Sequence, residues 1–267
     1  MRMMKKHIVE VIKQIEKDHD IKVLYACESG SRAWGFPSKD SDYDVRFIYV
    51  HKVNWYLSID QKRDVIEIPG RDSLSIKVDP LLDVSGWELT KALRLFRKSN
   101  PPLLEWLRSS MIYYQAYSTI DQLRAIENEV FSPISCMHHY LHMAKRNFRE
   151  YLQKEEVKIK KYFYVLRPVL AGKWIENHQT VPPIEFEKVF EAMIEEGPLK
   201  QSIHELLARK KAGEELFLEK RIDVINEYLE KEIDYLEQYV KTIEIERKDP
   251  TDQLDQLFRD TLKEVWS

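Results

Sequence analysis

The chain has 267 residues, of which 43% are hydrophobic and 33% charged, proportions of a folded globular protein rather than a disordered one. Its apolar runs are only a few residues long, far short of the roughly 20 that span a bilayer, and no stretch near the basic start has the length of a signal peptide's core, so a cytoplasmic protein with no membrane association is expected. A net charge of −3 argues against a general nucleic-acid coat protein, and two cysteines, Cys27 and Cys136, supply neither a disulfide framework nor a four-cysteine zinc site.

In chain order, Ile8, Val11, Ile12 and Ile15 predict an amphipathic helix that ends in the polar Lys17–Asp20 stretch. Ile21 to Cys27 reads as a buried strand, with Cys27 as core. The loop Glu28 to Ser41 follows. It holds Gly30 and Gly35, two of only seven glycines in the chain, a concentration that points to backbone conformations or close approaches that side chains would obstruct. Tyr43 to Val50 predicts a second strand with Val45, Phe47 and Tyr49 on one side and Asp42, Asp44 and Arg46 on the other. Val53–Leu57 and Arg63–Ile68 are weaker strand or loop candidates, and Leu74–Val78 and Leu81–Val84 read as further strand pieces broken by Pro80.

From Gly86 onward the pattern is helical. Leu89, Leu93 and Phe96 mark one helix; Asn100-Pro101 starts the next, with Asn100 as N-cap. Another begins after Ser132-Pro133. Lys158 to Trp174 is a helix with Pro168 inside it, and Ile222 to Ile243 carries an apolar stripe suited to packing or to an oligomer contact. Strands first and helices afterwards predict an α+β fold: a mixed sheet from about 21 to 84, then an all-α part, with the boundary near 115–132. The corresponding domains are 1–120 and 121–267. His142 to Lys173 holds nine Lys and Arg against three acids, whereas Glu214 to the end carries a net −8. A basic helix of this kind either faces phosphates or is a solvated surface.

The chemistry is concentrated in Glu28-Ser29-Gly30-Ser31-Arg32-Ala33-Trp34-Gly35 and Asp42-Tyr43-Asp44. A Gly-Ser turn after a strand gathers backbone N–H groups and a hydroxyl suited to phosphate oxygens. Two aspartates at i and i+2 on a strand share a face, with Cα atoms roughly 7 Å apart, a spacing that divalent ions can bridge. Like charges that close need a cation, and Mg²⁺ prefers a few carboxylates plus phosphate oxygens. Simple turn chemistry is the alternative for an isolated Asp-x-Asp.

Gly-Ser, about ten residues, then Asp-x-Asp resembles the signature of the DNA polymerase β nucleotidyltransferase superfamily. The runs ESGSRAWGFPSKDSDYDVRFIYV, SGWELTKALRLFRKSNPPLLEWL and KKYFYVLRPVLAGKWI resemble its subgroup of bacterial nucleotidyltransferases, some linked to RNA repair. The resemblance implies a polymerase-β-like mixed sheet followed by helices, and Mg²⁺-dependent transfer of a nucleoside monophosphate from a triphosphate to a hydroxyl of RNA, protein or a small molecule. It also implies a third carboxylate on a neighbouring strand. Asp83 is the choice, between apolar strand residues, with Asp79 as competitor. Catalysis and metal binding then fall to Asp42, Asp44 and Asp83, and nucleotide binding to Gly30, Ser31, Arg32, Lys91 and Lys161. The basic Lys160–Arg167 segment becomes the far wall of the cleft. Trp34 either stacks on a base or packs, and an ion pair with an aspartate is the default for Arg46. His138 and His142 lack the further ligands of a metal site. Two rivals remain: a non-catalytic nucleotide or RNA binder with this fold, and an antitoxin-type partner protein.

Overall fold

Period-2 alternation in the strands sets the layering. The computed structural model describes residues 2–38, 41–214, 216–243 and 249–267. Lys39 and Asp40 of the loop, and Glu215 and residues 244–248 of the acidic C-terminal region, lie outside these. Strands β1 (Ile21–Glu28), β2 (Tyr43–His51), β3 (Val65–Ile68), β4 (Leu82–Glu88) and β5 (Ile112–Gln115) form one sheet in the order β3-β4-β2-β1-β5. β2 and β4 run parallel; the other neighbours are antiparallel.

Helix α1 (Arg2–His19) covers one face. Its Ile8, Val11, Ile12 and Ile15 pack with Val45, Phe47 and Tyr49 of β2. The alternate residues Ile48 and Val50 point into a second core shared with the helices. A register irregularity between Val23 and Tyr25 shifts the phase of β1. Ile21 and Val23 therefore join the α1 side, while Leu24, Tyr25 and Cys27 join the other.

The remaining chain is helical: α2 (Gly30–Ala33), α3 (Val53–Tyr56), α4 (Leu89–Arg97), α5 (Pro101–Arg108), α6 (Thr119–Val130) and α7 (Pro133–Asn147), then α8 (Ile159–His178), α9 (Phe186–Met193), α10 (Pro198–Lys211), α11 (Asp223–Val240) and α12 (Thr251–Trp266). A π-helical turn, Phe148–Leu152, extends α7, and a two-stranded ribbon pairs β6 (Glu156–Lys158) with β7 (Leu218–Lys220). The expected Asn100 cap forms, accepting from the Leu103 N–H at 3.3 Å, and Ser132 likewise accepts from the Ser135 N–H at 3.4 Å; each is followed by proline at the start of its helix.

Three expectations are corrected. Val53–Tyr56 is a short helix, not a strand. Leu74, Ile76 and Val78 pack on the α1-side core as irregular chain rather than as a strand. The sheet does not stop near residue 84, because β4 runs to Glu88 and β5 adds to β1 at the edge. The stripe Ile225, Leu229, Ile233, Leu236 and Val240 is buried in the common core of this chain, which is the packing alternative named for it.

The sequence boundary near 115–132 does not separate two cores. One apolar cluster runs from Leu24 and Ile48 of the sheet through Phe163 and Leu166 of α8 to Leu229 of α11 and Leu254 of α12. α12 returns to the sheet half: Thr261 and Thr119 hydroxyls are 2.9 Å apart, and the Trp266 indole N–H donates to the His51 carbonyl at 2.9 Å. Among the described residues no helix is long and apolar enough to cross a membrane.

Candidate active site

The loop after β1 is laced onto the start of β2. The Ser29 N–H donates to the Asp44 carbonyl at 2.8 Å, which holds α2 beside the carboxylate pair. Gly30 has φ +58, and a Cβ there would lie 1.9 Å from Asp44 Oδ2. Glycine is thus required twice, for the backbone angle and for the space the carboxylate fills. Asp42 is exposed at the mouth of β2, and Asp44, two residues on, is half-buried. Burial raises the Asp44 pKa; Arg46 opposes that shift, while the charges of Asp83 and Asp42 add to it. Burial thus disfavours the charged form of Asp44, and the Arg46 guanidinium offsets part of that cost.

Asp83 stands beside Asp44 in the parallel register of β2 and β4. Its carboxylate is exposed but already paired. One Arg46 nitrogen donates to Asp44 Oδ1 at 3.1 Å and to Asp83 Oδ2 at 2.8 Å, and the other donates to the Asp83 carbonyl at 2.9 Å. Asp79, the competitor, accepts from the Leu81 N–H at 2.9 Å and caps its own turn. Among the described residues no group of three or more His, Cys, Asp or Glu side chains is placed to hold a metal. The donor set suits one cation on Asp42 and Asp44, with phosphate oxygens completing its shell.

Between this loop and helices α8 and α10 lies a cleft of about 390 Å³. Ser29, Gly30, Ser31, Asp42 and Asp44 form one wall. Lys160, Tyr164 and Lys210 form the other, with Phe36 and Phe163 between. Lys210 is buried, its ammonium 5.0 Å from the centre of the Phe36 ring. Nothing near Lys210 in the sequence marks it; only the packing of α10 on α8 brings it to the Gly-Ser turn.

Three predicted nucleotide contacts lie elsewhere. Arg32 turns back on its own loop, donating to the Asp42 carbonyl at 3.0 Å and the Ser41 carbonyl at 2.7 Å, with its guanidinium 3.7 Å over the Tyr43 ring. Lys91 pairs with Asp64 at 2.9 Å. Because β2 and β4 are parallel, α4 starts at the end of the sheet opposite Asp44 and Asp83, on the order of 15–20 Å away along the strand. Lys161 sits 3.7 Å over the Tyr151 ring and 4.5 Å over Tyr164; helical phase turns its neighbour Lys160 into the cleft instead. Burial, then the charge of Lys160, lowers the Lys161 pKa.

Arg167 is also structural. It pairs with Glu105 at 2.7 Å in a largely buried site and lies 4.2 Å over Trp34. That guanidinium covers one face of the indole. His138 and His142 are exposed and hold no such cluster.

Glu28 was not anticipated as a site residue. It is fully buried, accepts from the Asp44 N–H at 2.8 Å through Oε1, and meets the Tyr113 hydroxyl through Oε2. Burial pushes its carboxyl up to about 7, although the Tyr113 and Asp44 hydrogen bonds pull the other way. The signal in the sequence was a carboxylate directly after a buried strand; its partners come from residues distant along the chain.

Known proteins resemble this chain over nearly its whole length. A sequence model of the RNA repair pathway DNA polymerase beta family matches residues 4–260. The "Uncharacterized protein YcgL" of Bacillus subtilis (strain 168) is 54% identical over 263 residues, which is 98% of each chain. The crystal structure of a nucleotidyltransferase-like protein from Exiguobacterium sibiricum 255-15 is 9% identical, covering 97% of this chain and 81% of that one at a TM-score of 0.34. A score that low adds no weight to the other two.

Proposed function

The chain belongs to the RNA repair pathway DNA polymerase beta family, and from that premise we propose that its cleft transfers a nucleoside monophosphate from a triphosphate to a hydroxyl acceptor. The observation that carries this reading is the convergence of the Gly30-Ser31 turn, Asp42, Asp44, Lys160 and Lys210 on one cleft. The family description favours RNA as acceptor over a protein or a small molecule.

In this reading the backbone N–H groups of the turn and the Ser31 hydroxyl hold phosphate oxygens. Lys160 and Lys210 meet the remaining phosphate charge from the opposite wall. Asp42 and Asp44 hold Mg²⁺, which when bound neutralises phosphate charge and lowers the pKa of the acceptor hydroxyl. The acceptor oxygen forms a bond to the α-phosphorus as the bond to the pyrophosphate oxygen breaks; the hydroxyl proton leaves to a carboxylate or to water, and pyrophosphate departs.

Incubation with each α-labelled nucleoside triphosphate, Mg²⁺ and cellular RNA or lysate tests the proposal. Label retained on RNA or protein, and lost with Asp42→Asn, supports it. Nucleotide binding without transfer under any of these conditions would instead favour the non-catalytic binder.

A further inference from the structure

Two carboxylates in register on adjacent parallel strands have Cα atoms about 4.8 Å apart, where their like charges repel unless a cation lies beside both. Asp44 and Asp83 are such a pair. The cation supplied by this fold is a guanidinium. Arg46 reaches both carboxylates, at 3.1 and 2.8 Å, and its other nitrogen donates to the carbonyls of Asp83 at 2.9 Å and Val45 at 3.1 Å. Its side chain is only 18% exposed.

We propose that this site holds a single divalent cation, on Asp42 and Asp44, and that Arg46 permanently fills the position between Asp44 and Asp83 where a second would sit. The inference rests on the nucleotidyl-transfer reading above and narrows it.

The two Asp44 oxygens have separate surroundings. Oδ1 accepts from Arg46, whereas Oδ2 lies against Gly30, which lines the cleft beside Asp42. One oxygen is thus committed to the fixed charge and the other is placed for a mobile one. Seating an ion between Asp44 and Asp83 would require the guanidinium to leave four hydrogen bonds. Arginine cannot vacate the position by losing its proton, because it stays charged at any pH a protein survives. Asp83 is therefore a positioning residue: it anchors Arg46, which orients Asp44.

Manganese, counted by the loss of its free EPR signal, tests this. The full chain is titrated with Mn²⁺ alone, since a triphosphate would take up the ion by itself. The native protein should take up one ion per chain in the cleft, and Asp83→Asn, at a carboxylate that is 55% exposed, should leave that count unchanged. Arg46→Gln should admit a second ion, and the Arg46→Gln/Asp83→Asn double variant should lose it again. A native count of two that falls to one with Asp83→Asn overturns the proposal while leaving nucleotidyl transfer intact. A native count of one that falls to none with Asp83→Asn also overturns it, since Asp83 would then be a ligand. If the native protein takes up no ion at all, the cation site itself fails, and the functional reading with it. The counts on native protein and Asp83→Asn decide the matter even if the Arg46 variant does not fold.

Discussion

The carboxylate of Asp44 occupies the space that a side chain at Gly30 would need: a Cβ there would meet Oδ2 at 1.9 Å and Cγ at 2.7 Å. Gly30→Ala should therefore displace Asp44 as well as strain a backbone at φ +58. A displacement near 1 Å at reacting groups costs on the order of 100-fold in rate, whereas the strain costs about 1–3 kcal/mol. Gly35→Ala is the control, since Gly35 has φ +86 but among the described residues its Cβ would approach only Glu185, at 4.0 Å. Transfer rates and melting temperatures of the two variants should separate: similar stability losses, with a large rate loss for Gly30→Ala alone.

Stability should depend on pH through Glu28. Its pKa rises from an ordinary 4.5 to about 7 on folding because the carboxyl is buried. The folded state then keeps a proton that the unfolded chain has released, so stability falls as pH rises from 4.5 toward 7 and levels off above. Glu28→Gln should flatten that part of the curve in urea unfolding followed between these limits. A native protein whose stability rises across the window would contradict the assignment.

Lys160 and Lys161 should behave differently although adjacent. Lys160→Ala removes a charge from the cleft and should weaken triphosphate binding by about 1.5–3 kcal/mol, less at high salt. Lys161→Ala removes an ammonium held between Tyr151 and Tyr164, costing about 0.5–2 kcal/mol of stability with affinity unchanged. Nucleotide titrations and thermal melts on both variants check this; weaker binding with Lys161→Ala would return it to the cleft wall.

Glu105 and Arg167 form a pair that is 12% and 11% exposed, and Tyr140 also donates to Glu105, at 2.9 Å. Glu105→Ala strands the guanidinium and should cost about 3–5 kcal/mol in urea unfolding. Because Arg167 lies against Trp34, the same variant should change the tryptophan emission of the folded protein. A loss below 1 kcal/mol, roughly the worth of an exposed pair, would show that the site is open to water.

The layering was legible in the sequence because strand periodicity is local: Val45, Phe47 and Tyr49 separate from Asp44 and Arg46 as alternation requires. The Gly30–Asp44 pairing was legible for a related reason, since the loop joining them is short. What escaped was fixed by direction and distance. Lys91 lies on the polar side of its helix, as expected, but the parallel pairing of β2 with β4 carries that helix to the far end of the sheet. Lys160 and Lys161 differ only by helical phase, which the burial of Tyr162 and Phe163 decides. Lys210 and the Tyr113 contact to Glu28 depend on elements that meet only in the finished fold. Leu74, Ile76 and Val78 alternate like a strand, yet they pair with no strand and pack on the core as irregular chain.

The ring of Phe36 lies 5.1 Å from that of Phe163 and 5.5 Å from that of Phe186, and the Phe186 N–H donates to the Trp34 carbonyl at 2.9 Å. The glycine loop is thus fastened to the helices as firmly as to its own strand, and it has no melting point of its own. A calorimeter should register one endotherm for the chain, with no early shoulder from the sheet half. These contacts tie the loop wall of the cleft to the helical wall, so a substrate should enter as into a slot whose width they set. Enlarging that slot for a bulkier acceptor would mean loosening the same aromatic contacts that keep the molecule folded.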